Sequence, residues 1–173
     1  TTILLFFEGS ISSVADTVYA HLDRSILTTI PLFVFMAQVM IHAKVIDDLY
    51  DMAHTLVGHV KGGLGVATVL SCTIFAAISG SSVATAATIG TVAIPEMINR
   101  GYNKKFVYGL LAAGGTLGIL IPPSIILIVY GVSAELSIAR LFIAGVIPGA
   151  MLIVMFMSFV GIWATINKDK MPA

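Results

Sequence analysis

Residues 62–95 read GGLGVATVLSCTIFAAISGSSVATAATIGTVAIP, without one Asp, Glu, Lys or Arg. As one straight helix this stretch would run about 51 Å, against a hydrocarbon core of about 30 Å. Two complete spans would need about 40 residues. The length fits a hairpin that enters, turns partway and returns. Ser79-Gly80-Ser81-Ser82, at its middle, is the turn that the residue types predict.

Phe106–Ala134 poses the same problem, since one helix there would be about 43 Å long. Its interior holds Gly114-Gly115, Gly118 and Pro122-Pro123. Tandem prolines remove two backbone donors and restrict the residue before them. The pattern predicts half-helices over about Lys105–Leu117 and Ser124–Ser133, joined by an unwound Gly118–Pro123. Non-helical backbone at membrane depth is tolerated only when buried in protein or lining an aqueous cavity. Paired interrupted elements are a sequence pointer to a transporter binding site.

The whole composition agrees with a bilayer. Of 173 residues 58% are hydrophobic and 10% charged, against about 25% charged in a soluble domain. Ser25–Ala43 and Leu141–Asn167 are two further uncharged stretches. The chain opens on Thr1, its first apolar run (Ile3–Phe7) is too short to span, and no basic segment precedes it. It reads as a piece of an integral membrane protein without a signal peptide. Nine Lys+Arg balance nine Asp+Glu, so no basic field points to nucleic acid. The single Cys72 lies in an apolar run and suggests small-residue packing, not a disulfide or a metal site.

Five regions follow. Residues 1–24 hold an interfacial segment, Ile11–Leu22. Residues 25–60 hold a short span with Pro31 near its start and an amphipathic helix. In that helix Val45, Ile46, Leu49, Met52, Ala53, Leu56 and Val57 share one face, and Asp47, Asp48, Asp51 and His54 the other. Residues 61–104 are the hairpin and 105–134 the broken helix. Residues 135–173 form a full span anchored at Trp163 and Lys168/Lys170. Lys61, Arg100, Lys104, Lys105, Lys168 and Lys170 fall on one side and Arg140 on the other, which makes the first side cytoplasmic.

The hairpin centre is rich in hydroxyls: Ser71, Thr73, Ser79, Ser81, Ser82, Thr85, Thr88 and Thr91. Such small residues also serve close helix packing in membranes. At the turn, however, one half-helix leaves its last carbonyls unpaired and the next presents free N–H groups. Carbonyls and hydroxyls can ligate a hard cation, and the N–H end can hold a carboxylate. Gly118–Pro123 favours acceptors, because prolines have carbonyls but no N–H. Neither interior carries a charged side chain, and His21, His42, His54 and His59 all precede the hairpin. Proton-coupled carriers place Asp, Glu or His at depth, so sodium coupling through neutral oxygens is the expectation. Glu96 reads as a boundary residue.

The run Phe75–Gly90 (FAAISGSSVATAATIG), then Ile94-Pro95-Glu96-Met97 and Gly101-Tyr102, resembles the large membrane subunit of TRAP transporters, the DctM-like family. Ile30–Phe33 (IPLF), Ala113–Ser124 (AGGTLGILIPPS), Leu141–Gly145 (LFIAG) and Pro148-Gly149 extend the likeness over residues 25–150. The resemblance implies an all-α membrane protein: half of an inverted-repeat, elevator-type transporter that imports organic acids on the sodium gradient. It implies a small four-helix membrane subunit and a periplasmic substrate-binding protein as partners, a multi-pass place in a bacterial or archaeal cytoplasmic membrane, no enzymatic activity and no cofactor beyond the coupling ion. The chain matches the first repeat.

Carried onto this sequence, Ser79–Ser82 is the first hairpin tip and Gly115–Ser124 the facing unwound loop, with Val45–Val57 an arm between moving and fixed parts. Sodium is expected on carbonyls or hydroxyls of Ser79, Gly80, Ser81, Gly118, Pro122 and Pro123. Substrate is expected near Ser82, Thr85, Gly115 and Thr116. Gln38, where the family often has a small residue, and the charged Val45–Lys61 stretch depart from the pattern outside this site.

A divalent anion/sodium symporter, acting without a binding protein, is the alternative of similar architecture. An intramembrane serine protease needs a general base within reach of its serine, and every His lies in or near polar boundary segments. A channel filter needs a symmetric carbonyl ring. The sequence leaves C4-dicarboxylates, sugar acids, sialic acid, keto acids and ectoine-like solutes all open as substrates.

Overall fold

The computed structural model describes residues 28–57 and 62–167. Seven α-helices and no strands occur among them: α1 (Thr29–His42), α2 (Val45–Val57), α3 (Gly63–Ser79), α4 (Ser82–Asn99), α5 (Lys104–Leu120), α6 (Ile125–Ser133) and α7 (Ile138–Ile166). The expected interfacial segment Ile11–Leu22 and the anchors Lys168 and Lys170 lie outside the described residues.

The hairpin forms as the sequence predicts, with α3 and α4 turning at Gly80-Ser81. Its second arm runs past Pro95, which stands inside α4, to Asn99. The uncharged stretch therefore ends before the helix does, since a change to polar residues at a membrane boundary does not unwind backbone. The long apolar stretch 106–134 is broken, as expected, with a 43° bend between α5 and α6. The break lies three residues later than predicted. α5 continues through Gly118 to Leu120, because each proline interrupts the ladder only at its own missing donor.

α7 is the yardstick for depth. At 29 residues it is about 43 Å long and apolar enough to cross a bilayer alone. α5 and α6 run beside it end to end, and they reach that length only as a pair. A Cβ built on Gly145 would lie 2.7 Å from the Leu120 carbonyl oxygen, so the break in α5–α6 is level with Gly145. Gly145 stands about 11 Å from the start of α7. The hairpin tip, which touches this break, thus turns well short of the far end.

At the other end, Phe106 of α5 stacks on Trp163 of α7, with centroids 6.2 Å apart and planes at 15°, and Phe159 tilts onto the same ring at 5.7 Å. Trp163 is half-buried, with one part of its ring packed on these two phenylalanines. Tyr102, in the α4–α5 loop, is buried with its hydroxyl toward the Leu64 backbone, and burial raises its phenol above the ordinary range. These contacts collect the start of α3, the end of α4, the start of α5 and the end of α7 at one end of the bundle.

α1 is about 21 Å long, too short to cross alone. It meets α2 at a 70° corner, where Lys44 adopts a φ of 56°. α2 is amphipathic, but its buried stripe is narrower than the sequence suggests: Ile46, Tyr50 and Ala53 face the hairpin, while Met52 and Leu56 are exposed. Tyr50 escaped the sequence reading because a tyrosine fits either face. Its hydroxyl lies 3.3 Å from Thr68 Oγ1 on α3. Thr68 gives its own proton to the Leu64 carbonyl at 2.8 Å, so Tyr50 is the donor.

α3 is the centre of the core, with Ala67, Val69, Cys72, Phe75 and Ala76 fully shielded. Cys72 is buried and free, and its role is fit. A Cβ on Gly114 of α5 would lie 2.9 Å from Cys72 Sγ and 3.2 Å from its Cβ. Gly114→Ala should therefore cost the full-length protein about 1–3 kcal/mol, read as a lowered melting temperature in detergent. Adding Cys72→Ala should recover part of that loss.

Candidate functional site

The site is built from four helix ends. α3 ends at Ser79, and Gly80 follows with a φ of 61°, its N–H donating to the Ala76 carbonyl at 2.9 Å. Gly is required here twice over. The left-handed conformation penalises any Cβ, and a Cβ on Gly80 would lie 2.6 Å from the Pro123 carbonyl oxygen. Ser81 then turns to extended backbone and caps α4, its Oγ accepting the Ala84 N–H at 3.3 Å. Ser124 does the same for α6, accepting the Leu127 N–H at 3.5 Å, and is wholly buried.

The two breaks meet. Ile125 N–H, at the start of α6, donates to the Gly80 carbonyl at the end of α3, at 3.1 Å. Beside it the end of α5 lies against the start of α4. A Cβ on Gly118 would lie 2.8 Å from the Ser81 carbonyl oxygen and 2.9 Å from Ser82 N. Each helix C-terminus therefore faces the N-terminus of another helix, the pairing that backbone dipoles favour.

Of the residues expected to hold sodium, Ser79, Gly80, Ser81, Gly118 and Pro123 come together at this crossing, and Pro122 adjoins it. Their free oxygens differ. Gly118 is helical, yet the residue four ahead is Pro122, so its carbonyl has no helical donor. Ile119 stands in the same relation to Pro123, a point the sequence reading missed although i+4 counting would have found it. Gly80 already accepts from Ile125. The Ser81 carbonyl accepts both Thr85 N–H at 3.0 Å and Thr85 Oγ1–H at 2.8 Å.

The residues expected around substrate separate. Ser82 is half-buried at the first position of α4. Thr85 is wholly buried, with its proton given to Ser81. Gly115 is part of the α4–α5 contact, since a Cβ there would meet Ala86 Cβ at 2.8 Å and the Ser82 carbonyl oxygen at 3.1 Å. It lies within α5, as Gly118 does, which corrects the expected unwound Gly115–Ser124 to Ile121–Ser124. Thr116 is exposed on α5 and donates to the Ala113 carbonyl at 2.6 Å.

A second polar feature lies about 20 Å away along α4. There a cleft of about 360 Å³ opens between α2 and α4, lined by Asp47, Asp51, His54, Glu96 and Arg100 among others. Glu96 and Arg100 pair at 2.8 Å, half-exposed at i, i+4 spacing, an arrangement of small energetic weight. No group of three or more His, Cys, Asp or Glu among the described residues is arranged to hold a metal ion.

Apolar helices, one spanning and others broken, packed around two facing backbone interruptions, define an α-helical membrane protein. The match of residues 1–172 to a family model gives the particular kind: the chain belongs to the family of the DctM component of tripartite ATP-independent periplasmic transporters. It is 44% identical over 167 residues to the C4-dicarboxylate TRAP transporter large permease protein DctM of Pseudomonas aeruginosa, covering 96% of this chain and 39% of that protein. It is 37% identical over 159 residues to the ectoine TRAP transporter large permease protein TeaC of Halomonas elongata, covering 92% and 37%. With the isethionate TRAP transporter permease protein DctMQ of Oleidesulfovibrio alaskensis it shares 40% identity over 148 residues, covering 86% and 23%. The chain thus spans less than two fifths of the length of these relatives. The family is one of transporters, not enzymes.

Gly80→Ala should be the most damaging small substitution in the hairpin. A Cβ in the left-handed region costs about 1–2 kcal/mol, and the collision with backbone at Pro123 adds to it. A drop in thermal stability together with lost function in the full-length protein is the expected result.

Proposed function

We propose that this chain is the first-repeat part of the large permease of a sodium-driven, binding-protein-dependent importer of organic acids, such as C4-dicarboxylates or sugar acids. The observation that carries the reading is the meeting of the two breaks, sealed by Ile125 N–H on the Gly80 carbonyl at 3.1 Å. Backbone interrupted at depth gathers acceptors without charge, which suits a sodium ion. The cation is taken by the Ser79 and Gly118 carbonyls, the Ser81 hydroxyl and the Gly80, Pro122 and Pro123 carbonyls, in a set the incoming ion completes. The substrate carboxylate lies against Ser82 and the first turn of α4, where helix N–H groups favour an anion.

The family supports the rest of the proposal. A small four-helix membrane subunit and a periplasmic binding protein complete the machine, and the separate binding protein does much of the substrate selection. The repeat moves as an elevator against a scaffold, α2 serving as the arm. The protein is multi-pass in the cytoplasmic membrane, with Arg100, Lys104 and Lys105 on the cytoplasmic side. Relatives named for C4-dicarboxylate, ectoine and isethionate support a carrier of small organic solutes.

The test is uptake by the complete permease, its small subunit and its binding protein in proteoliposomes. Uptake should require an inward sodium gradient. Ser81→Ala should raise the sodium concentration at half-maximal rate, and Ser82→Ala the substrate concentration, each by about tenfold, the scale set by one lost hydrogen bond or ligand. Uptake unaltered when potassium replaces sodium would overturn the reading.

A further inference from the structure

The hairpin tip contains two hydroxyls with no outlet. Ser79 is 1% exposed and Thr85 0%, and their oxygens lie 3.1 Å apart. Thr85 has one hydroxyl proton, and the Ser81 carbonyl takes it at 2.8 Å. Towards Ser79, then, Thr85 Oγ1 acts as acceptor and Ser79 as donor. Ser81 N–H stands 3.4 Å from Ser79 Oγ. The circuit runs from Ser81 N–H to Ser79, from Ser79 to Thr85, and from Thr85 back to the Ser81 carbonyl. Neither hydroxyl retains a proton for an anion or a surface to meet one.

We propose that Thr85, acting with Ser79, is a positioning residue that fixes both peptide groups of Ser81. This rests on the transport reading above and deepens it. Ser81 is the pivot of the tip. Its backbone has left the helix, with φ −132° and ψ 124°, so its N–H lies outside the ladder of α3, while its carbonyl accepts the first bond of α4, from Thr85 N–H at 3.0 Å, and the Thr85 hydroxyl is a second donor there. Thr85 draws the Ser81 carbonyl back toward α4, and Ser79 holds the Ser81 N–H toward α3. With the backbone held on both sides and its Oγ accepting the Ala84 N–H at 3.3 Å, the Ser81 side-chain oxygen has a set place at the tip. The same carbonyl lies against Gly118, where an added Cβ would meet it at 2.8 Å. A tip that rotated at Ser81 would collide with α5, so the circuit also keeps the two breaks in register.

The proposal separates two roles that composition lumps together. Ser81 and Ser82 present hydroxyls to the site, while Ser79 and Thr85 use theirs to hold the frame. A Val in place of Thr85 has nearly the same shape and fills the same buried space, so it removes the hydroxyl alone. A Ser in its place keeps the hydroxyl and drops a methyl group.

Two measurements on the full-length permease decide it. The first is amide hydrogen exchange over residues 80–86 of the purified protein, which needs no transport. Thr85→Val should speed exchange there by about tenfold, the factor set by one buried hydrogen bond of ordinary strength, and Thr85→Ser should return it towards wild type. Ser79→Ala should move exchange in the same direction and covers the case in which Thr85→Val folds poorly. The second is uptake. Thr85→Val should raise the sodium half-saturation several-fold while leaving substrate half-saturation at saturating sodium within about twofold, again with rescue by Thr85→Ser. Unchanged exchange in Thr85→Val and Ser79→Ala would overturn the proposal. So would a raised substrate half-saturation with the sodium curve unmoved, because that marks Thr85 as a substrate contact. Wild-type uptake that ignores sodium would overturn the transport reading instead, and the exchange measurement would still decide the role of Thr85.

Discussion

Ile125 N–H on the Gly80 carbonyl ties together the two breaks, the α3–α4 turn and the α5–α6 interruption. A backbone group shut away from water costs several kcal/mol when it is left unsatisfied. A hairpin tip and a helix break are each untenable alone. Side by side they complement one another, because a broken helix offers both a carbonyl end and an N–H end. The end of α3 meets the start of α6, and the end of α5 meets the start of α4.

The glycines show how narrow the tolerance is. Gly114, Gly115 and Gly118 lie on the face of α5 that meets the hairpin, and a Cβ on any of them would approach another atom within 3 Å. Moving along α5, the partner changes from the Cys72 side chain to the Ser82 and Ser81 backbone. The helix therefore draws closer as it nears the break, until main chain touches main chain. Side-chain burial alone does not demand this approach, since a Leu/Ile seam would bury as much apolar area at a wider spacing. Letting backbone groups of two elements bond each other, as Ile125 N–H and the Gly80 carbonyl do, does demand it.

Polar and structural roles divide within a few residues. Along the tip, Ser79 and Thr85 are sealed, while Ser81 and Ser82 are half-buried. The same residue type thus does opposite work three positions apart, set by which side of a helix end it occupies. Further away, the exposed apolar residues of α7, such as Ile143, Ile147 and Val154, are what a helix facing lipid or another membrane segment shows. The acidic face of α2 closes a polar cleft over α4 instead.

The residues alone fixed a good deal. A charge-free run too long for one span and too short for two forces a partial return, and Ser79–Ser82 is where it turns. Pro122-Pro123 must break the second run, since two adjacent donors are missing. The order of hairpin, broken helix and full span follows from those lengths. Other features needed the tertiary structure. Pro122 and Pro123 leave the Ile121 N–H free to bond Leu117, so the break falls at Ile121–Ser124, but the contact of Gly115 and Gly118 with α4 shows only in the folded chain. Tyr50 took the buried face because Thr68 waits there with an acceptor, and the sequence shows no such pairing at a separation of 18 residues. Which hydroxyls look outward and which close on each other was likewise undetermined, since Ser and Thr serve either end equally well. Local composition dictates where a chain must stop being helical, because that depends on its own missing donors and its own length. What the freed groups then bond to depends on what a distant segment brings near them, and only the folded chain decides that.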